Sequence, residues 1–126
     1  MNSHALGLAL TAIVATAPVT AAQKPVEKIE PVAVVGCLEE TSPGVWSLVN
    51  ASEPVASNPN APSAKELASL PKGGSQELRL IGTGIFNLPA HRDHSVVVKG
   101  LPIKATPVGR LNVTSVTMVA ETCPGK

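Results

Sequence analysis

Two histidines and a carboxylate lie within four residues of the sequence, in the segment His91-Arg92-Asp93-His94. Imidazole and carboxylate groups bind Zn²⁺ and Cu²⁺, so this segment becomes a metal site if a further ligand converges on it. Pro89 keeps any helix here short, which weakens the alignment that an i, i+3 pair of histidines needs. The simpler alternative is that His91 or His94 hydrogen-bonds to nearby backbone. We predict no metal and no other cofactor, and keep His91, Asp93 and His94 as the alternative metal site.

Motifs of other catalytic classes are not found in the sequence. No Gly-x-Ser-x-Gly elbow marks a nucleophile, and Gly82-Thr83-Gly84 lacks the Lys-Ser/Thr ending of a phosphate loop. The carboxylates are scattered rather than paired, so no general acid and base are recognisable. The sequence therefore predicts a protein that is not an enzyme.

Three residues are candidates for a binding surface: Trp46, Arg79 and Arg92. An exposed Trp46 would offer a stacking platform for a ligand. Its alternation with Leu48 along a strand favours the other interpretation, in which both side chains point into the core.

Cys37 and Cys123 are the two cysteines of the chain. The residues Val34-Val35-Gly36-Cys37 match the small-residue pattern of a lipoprotein processing site, but the charged residues 24–30 separate them from the hydrophobic N-terminal segment. We therefore place Cys37 in the mature chain and predict a Cys37–Cys123 disulfide, with two buried thiols as the alternative. Such a bond closes nearly the whole domain and contributes roughly 4 to 5 kcal/mol in the chain-entropy model.

The N-terminus predicts export. Residues 5–19 are apolar and uncharged, and Val19-Thr20-Ala21 or Thr20-Ala21-Ala22 places small residues where signal peptidase needs them, which predicts cleavage after Ala21 or Ala22. An apolar run of about 15 residues is shorter than the roughly 20 that span a bilayer. We predict a signal peptide at 1–22, a flexible lead-in at 23–30, no membrane anchor after cleavage, and a secreted or periplasmic protein.

Charge and aromatic content argue against nucleic acid as a partner. Lysine and arginine total 10 against 9 for aspartate and glutamate, and the only aromatic side chains are Trp46 and Phe86. A nearly neutral chain with few aromatic side chains lacks both the phosphate contacts and the base-stacking surfaces of such proteins. The core must be aliphatic.

The elements that position these residues are mainly β-strands, one domain over residues 31–124. Runs rich in Val, Leu, Ile and Thr alternate with turn residues and predict five strands. The predicted strands are Val32 to Glu39, Trp46 to Ser52, Leu78 to Thr83, Ser95 to Leu101 and Arg110 to Ala120. Continuous apolar runs such as Val96 to Val98 favour strands buried on more than one side.

Two connections in this domain are longer than turns. Residues 53–76 form a surface insertion in which Ser63 and Glu66 make a capping-box pattern, predicting a short helix from Ala64 to Leu70. In the second connection, Ile85, Phe86 and Leu88 are predicted to cap one end of a barrel, and residues 89–94 a turn or one helical turn. This order of elements is that of an OB-type barrel, in an all-β fold with a loop or short helix between strands 2 and 3.

Three stretches resemble a group of small exported bacterial proteins of unknown function with a predicted OB-like barrel. They are "VVGCLEETSPGVWSLVNASEP", "LRLIGTGIFNLPAHRDHSVVVKG" and "RLNVTSVTMVAETC", and together they cover most of the mature domain. The chain departs from the pattern at Asp93, where the resemblance implies glycine, and at Leu80, where an aromatic residue often opens the third strand. The resemblance implies a fold and no activity.

Two functions follow from these observations. The first is a binding or interaction module of the bacterial envelope, without catalytic turnover, whose partner is an unidentified protein or envelope component. The alternative is a metal-dependent or hydrolytic accessory enzyme centred on His91, Asp93 and His94.

Overall fold

The computed structural model describes residues 7, 11–15 and 28–124 of the chain. The predicted signal peptide at 1–22 and the lead-in at 23–30 therefore lie mostly outside the described residues. Within the described part of the chain, no helix has the length and apolar character needed to cross a membrane.

Six strands, one α-helix and one 3-10 helix make up the described domain. The strands are β1 (Val32–Ser42), β2 (Val45–Ala51), β3 (Val55–Ala56), β4 (Gln76–Ile81), β5 (Ser95–Ile103) and β6 (Gly109–Ala120). Helix α1 spans Ala64–Ser69, and the 3-10 helix spans Leu88–His91. The five predicted strands and the short helix are confirmed.

Five of these strands close into a barrel. Their order is β2-β4-β6-β5-β1, and β1 also pairs with β2. The pairing of β4 with β6 is parallel, and the other pairings around the barrel are antiparallel. This is the predicted OB-like barrel.

Strand β3, which was not predicted, pairs with the beginning of β1, beyond the point where β2 ends. At Ser52, the backbone N–H donates to the Val35 carbonyl at 2.8 Å, and the Ser52 hydroxyl accepts from the Val35 N–H at 3.0 Å. Val55 and Ala56 then pair with Ala33 and Val32. The sequence did not predict β3 because two residues are too few to be recognised as a strand. In addition, Pro54 lies directly before them, and proline is typical of turns and sheet edges.

The barrel interior is mainly aliphatic, as the composition predicts, with Trp46 as an aromatic member. Its buried cluster contains Val34, Leu38, Trp46, Leu48, Ala51, Leu80, Leu88, Val96, Val98, Leu111 and Val113. Leu88 of the 3-10 helix closes one end of the barrel, and the partly buried Phe86 packs against the cluster.

Ile85 does not contribute to this cap. Its side chain is 88% exposed, so its predicted role as a cap residue is wrong. The Phe86 N–H donates to the Thr83 carbonyl, and this tight turn leaves Gly84 and Ile85 at its two central positions, which project into solvent.

Strands β1 and β5 are buried on both faces, as their continuous apolar runs predict. Ala33, Val35 and Val97 point away from the interior and form a second buried cluster against Leu67 and Leu70, which come from the insertion. Since inward and outward positions alternate along a strand, the insertion must cover the outer face of the barrel here.

The contact between β5 and β6 is close at Gly100, where the register between these strands shifts. A β-carbon on Gly100 would lie 2.2 Å from the Asn112 carbonyl oxygen. The barrel therefore closes at this point only because the residue has no side chain.

Candidate functional site

The insertion, residues 53–76, crosses the outer face of the barrel and then returns to β4. Its first part is held by the Ser57 N–H, which donates to the Pro31 carbonyl at 2.9 Å. Its last part is held by the Gly74 N–H, which donates to the Asn50 carbonyl at 2.9 Å. The insertion is exposed over much of its length, but Glu66, Leu67 and Leu70 are partly buried.

Helix α1 begins as the capping-box pattern predicts. The Ser63 hydroxyl accepts from the Glu66 N–H at 3.1 Å, which satisfies one of the free N–H groups of the first turn. The Glu66 carboxylate does not complete the box. It turns instead toward the barrel, because a buried cation lies there.

That cation is Lys99 of β5, whose side chain is completely buried. Its Nζ donates to Glu66 Oε1 at 2.6 Å and to Asn58 Oδ1 at 3.1 Å. The Ser57 hydroxyl donates to the other Glu66 carboxylate oxygen. The pKa of Glu66 is lowered from its ordinary value. The largest cause is the hydrogen bond from Lys99, and the next is the hydrogen bond from Ser57. A charge pair with its hydrogen bonds thus fixes the insertion to the barrel.

Where α1 packs on the barrel, the helix and the end of β6 border an apolar cavity of about 310 Å³ that is partly open to solvent; we name it the α1 cavity. Its apolar walls include Val35, Leu67, Leu70, Val97, Val119 and Ala120. Its polar lining residues in the described chain are Lys72, Ser95 and Thr122.

A second cavity of about 280 Å³ adjoins the first and is more polar; we name it the disulfide cavity. It is lined by Asn50, Gly73 and Gly74 and by the two cysteines. The α1 cavity and the disulfide cavity share Lys72, Ser95 and Pro124. The two cavities therefore meet at the side of Lys72.

The predicted Cys37–Cys123 disulfide is confirmed. It joins β1 to the segment after β6, 86 residues later, with a Cα–Cα distance of 5.6 Å. Thr122 and Pro124, on either side of Cys123, line the α1 cavity. The bond therefore holds one wall of that cavity in place.

The histidine segment lies at the capped end of the barrel. The ring centroids of His91 and His94 are 5.9 Å apart in an edge-to-face arrangement, and the Nδ1 atoms of both are buried without a hydrogen-bond partner among the described residues. Main-chain bonds hold the segment instead, since Leu38 accepts from the Asp93 N–H and donates to the His94 carbonyl. The described residues contain no group of three or more metal-binding side chains.

Asp93 adopts the backbone conformation that favours glycine, with φ of 62°. This is the position at which the resemblance implies glycine. Aspartate is one of the residues that enter the left-handed region at moderate cost, so the turn is preserved despite the departure.

The structure brings two of the three binding-surface candidates together. Trp46 is 7% exposed and belongs to the core, as its alternation with Leu48 predicts. The Arg92 guanidinium lies 5.4 Å from the Trp46 ring centroid, and it pairs with Glu40 at 3.6 Å. Arg79 is exposed on the outward face of β4, next to Arg110 of β6.

Sequence reasoning did not identify the residues that shape the α1 cavity. One available signal was Lys99, a charge directly after three valines in a strand that is otherwise buried. A second was the pair Leu67 and Leu70, which share one face of the predicted helix and need an apolar surface to cover.

No family model matches the chain, and no match was found among the curated proteins or the solved structures.

Proposed function

We propose that this chain is a small exported binding module that holds an apolar component of the bacterial envelope in the α1 cavity, without catalytic turnover. One observation carries this proposal: an apolar cavity of about 310 Å³ lies between α1 and the barrel, outside the barrel's own core. Concave apolar sites with a few polar groups at fixed positions are typical of small-molecule binding.

Both sides of the cavity are fixed before any ligand arrives. The Lys99–Glu66 pair holds α1, and the disulfide holds the segment around Thr122. A preformed site loses less conformational entropy on binding, and this supports a function in which the chain captures a ligand without refolding.

The lining chemistry supports binding rather than turnover. The described residues around the α1 cavity present an ammonium group at Lys72 and hydroxyl groups at Ser95 and Thr122, with no imidazole or carboxylate among them. Cys123, which borders the adjoining cavity, is held in the disulfide. These groups can orient a ligand by hydrogen bonding.

Export is part of the proposal. Disulfides persist in oxidising compartments, so the Cys37–Cys123 bond supports a periplasmic or extracellular location, together with the signal-peptide pattern at 1–22. The intact mass of the protein recovered from the periplasmic and secreted fractions tests this. We expect a chain that begins at residue 22 or 23 and carries no alkylatable thiol; a full-length chain in the cytoplasm would contradict export.

The binding proposal is tested with N-phenyl-1-naphthylamine, an apolar probe whose fluorescence rises in a dry site. Ala68 lines the α1 cavity from the helix, and it is exposed enough for a larger side chain to be accommodated. We expect Ala68→Phe to fill the cavity and to weaken probe binding at least about tenfold, because most of the apolar contact area is lost.

The matched control is Ala64→Phe, on the same helix but outside the cavity lining. The affinity of Ala64→Phe for the probe should equal that of the unsubstituted chain. Both variants should have the same melting temperature as the unsubstituted chain. If the unsubstituted chain binds neither the probe nor an aliphatic ligand such as decanol, or if both variants bind them equally well, the α1 cavity is not the binding site.

A further inference from the structure

We infer that the ligand of the α1 cavity is a free, saturated fatty acid of medium chain length, with its carboxylate beside Lys72 and its alkyl chain along the apolar wall. This inference rests on the proposed function, and it adds the chemical class of the ligand.

The charge of the site carries the first step. Lys72 is the only charged residue among the described residues that line either cavity. Within the described structure, its side chain takes part in no ion pair or hydrogen bond. An ammonium group beside an apolar cavity complements a ligand that has one anionic group on an apolar body.

The position of Lys72 fixes where that anionic group lies. Lys72 and Ser95 border both cavities, so they mark the junction between the apolar and the more polar one. A carboxylate at this junction meets an ammonium group and a hydroxyl donor, and it remains close to water. The alkyl chain then extends along the accessible surfaces of Leu70 and Val119.

The walls favour an alkyl chain over a ring system. Both aromatic side chains of the protein belong to the barrel interior and its cap, with Trp46 in the core cluster and Phe86 packed against it. The α1 cavity is lined instead by branched aliphatic and alanine side chains. Such walls offer dispersion contacts to methylene groups and no flat face for stacking.

The volume sets the chain length. The α1 cavity is partly open to solvent, and its volume of about 310 Å³ corresponds, at roughly 30 Å³ for each water-sized group, to a chain of about ten methylene groups lying along it. A much longer chain would leave its end in water. Fatty acids of about eight to twelve carbons therefore match the cavity.

Isothermal titration of the disulfide-bonded chain at neutral pH tests this inference with a series of saturated acids from butanoate to hexadecanoate, each kept below its aggregation concentration. We expect the affinity to rise about fourfold with each methylene added, and to level off near ten carbons. An affinity that continued to rise through hexadecanoate, or that did not depend on length, would overturn the assignment to this cavity.

The role of Lys72 is tested by removing the charge of the lysine and, separately, by changing the charge of the ligand. We expect Lys72→Gln to weaken decanoate binding about fivefold and to leave decanol binding unchanged, since decanol lacks the anionic group. Decyltrimethylammonium should bind more weakly than decanol. The matched control is Lys65→Gln, an exposed lysine of α1 outside both cavity linings, which should bind decanoate as the unsubstituted chain does.

The outcomes separate this inference from the proposed function. If decanol and decanoate bind equally and Lys72→Gln has no effect, but Ala68→Phe prevents binding of both, the cavity binds apolar ligands and the fatty-acid assignment is wrong. If neither the acids nor the fluorescent probe binds, or if Ala68→Phe changes nothing, both the inference and the proposed function are wrong.

Discussion

The Nζ atom of Lys99 lies 2.6 Å from Oε1 of Glu66 and joins strand β5 of the barrel to the helix of the insertion. The two residues are 33 positions apart, and the lysine side chain has no exposed surface. A buried ammonium group is costly without a partner. The pair therefore helps to hold α1 on the barrel, together with the packing of Leu67 and Leu70.

Removal of that carboxylate should destabilise the whole domain. We expect Glu66→Ala to lower the free energy of unfolding by about 3 kcal/mol or more, because Lys99 remains buried without its counter-charge. Lys99→Met should cost less than Glu66→Ala, since an apolar side chain of similar volume needs no partner. Urea unfolding of the variants measures both changes.

The control for this comparison is Glu77→Ala, which removes an exposed glutamate of β4. Its effect should stay within about 0.5 kcal/mol. Equal unfolding free energies for Glu66→Ala and Glu77→Ala would show that the buried pair does not stabilise the fold.

The same pair predicts a loss of stability in acid. The hydrogen bonds from Lys99 and Ser57 lower the pKa of Glu66 below its ordinary value of 4.5. The unfolded chain therefore takes up this proton at higher pH than the folded chain does, and the stabilisation present above pH 4.5 is lost as the pH falls through the folded-state pKa. Urea midpoints measured from pH 7 to pH 3 should fall more steeply for the unsubstituted chain than for Glu66→Gln. Identical slopes would contradict this.

Reduction of the Cys37–Cys123 bond should lower the melting temperature substantially. The bond joins residues 86 positions apart in the sequence. Its loss increases the conformational entropy of the unfolded state, which corresponds to roughly 4 to 5 kcal/mol of stability in the chain-entropy model. Calorimetry with and without a reductant measures the effect, and a Cys37→Ser, Cys123→Ser double variant serves as the control that reductant must not affect. An unchanged melting point after full reduction would be inconsistent with a stabilising bond.

Trp46 provides a direct optical test of the core. It is the single tryptophan of the chain and is 7% exposed beneath Arg92. We expect emission at shorter wavelength than that of free tryptophan and weak quenching by iodide. Arg92→Ala should increase the quenching and cost about 0.5 to 1 kcal/mol of stability, because the cation is removed from the ring face. Arg79→Ala, at an exposed site away from the ring, should change neither quantity.

Local patterns in the sequence were sufficient to predict the barrel. Strand periodicity predicted the five barrel strands, and Ser63 with Glu66 predicted the start of α1. The expectation that the chain is exported, together with its two cysteines, predicted the disulfide. The signals for the strands and the helix lie in neighbouring residues. For the disulfide, each of the two cysteines has only the other as a partner. The strand β3 is too short to show a periodicity from which it could be predicted.

The cavity could not be predicted in this way, because it depends on contacts between distant segments. The sequence shows that Lys99 interrupts an apolar strand, and a lysine in that position ordinarily turns to water. Only the path of residues 53–76 across the barrel brings Asn58 and Glu66 to it. The exposure of Ile85 could not be predicted either. It depends on a turn whose hydrogen bond cannot be recognised from the pattern of apolar residues.

Because Val35 and Val97 face outward beneath α1, residues 53–76 cannot be treated as a removable loop. A shortened protein with a tight turn in their place would present an apolar stripe to water along two adjacent strands. Such a protein should self-associate as its concentration rises, which makes the insertion a determinant of solubility as well as of shape.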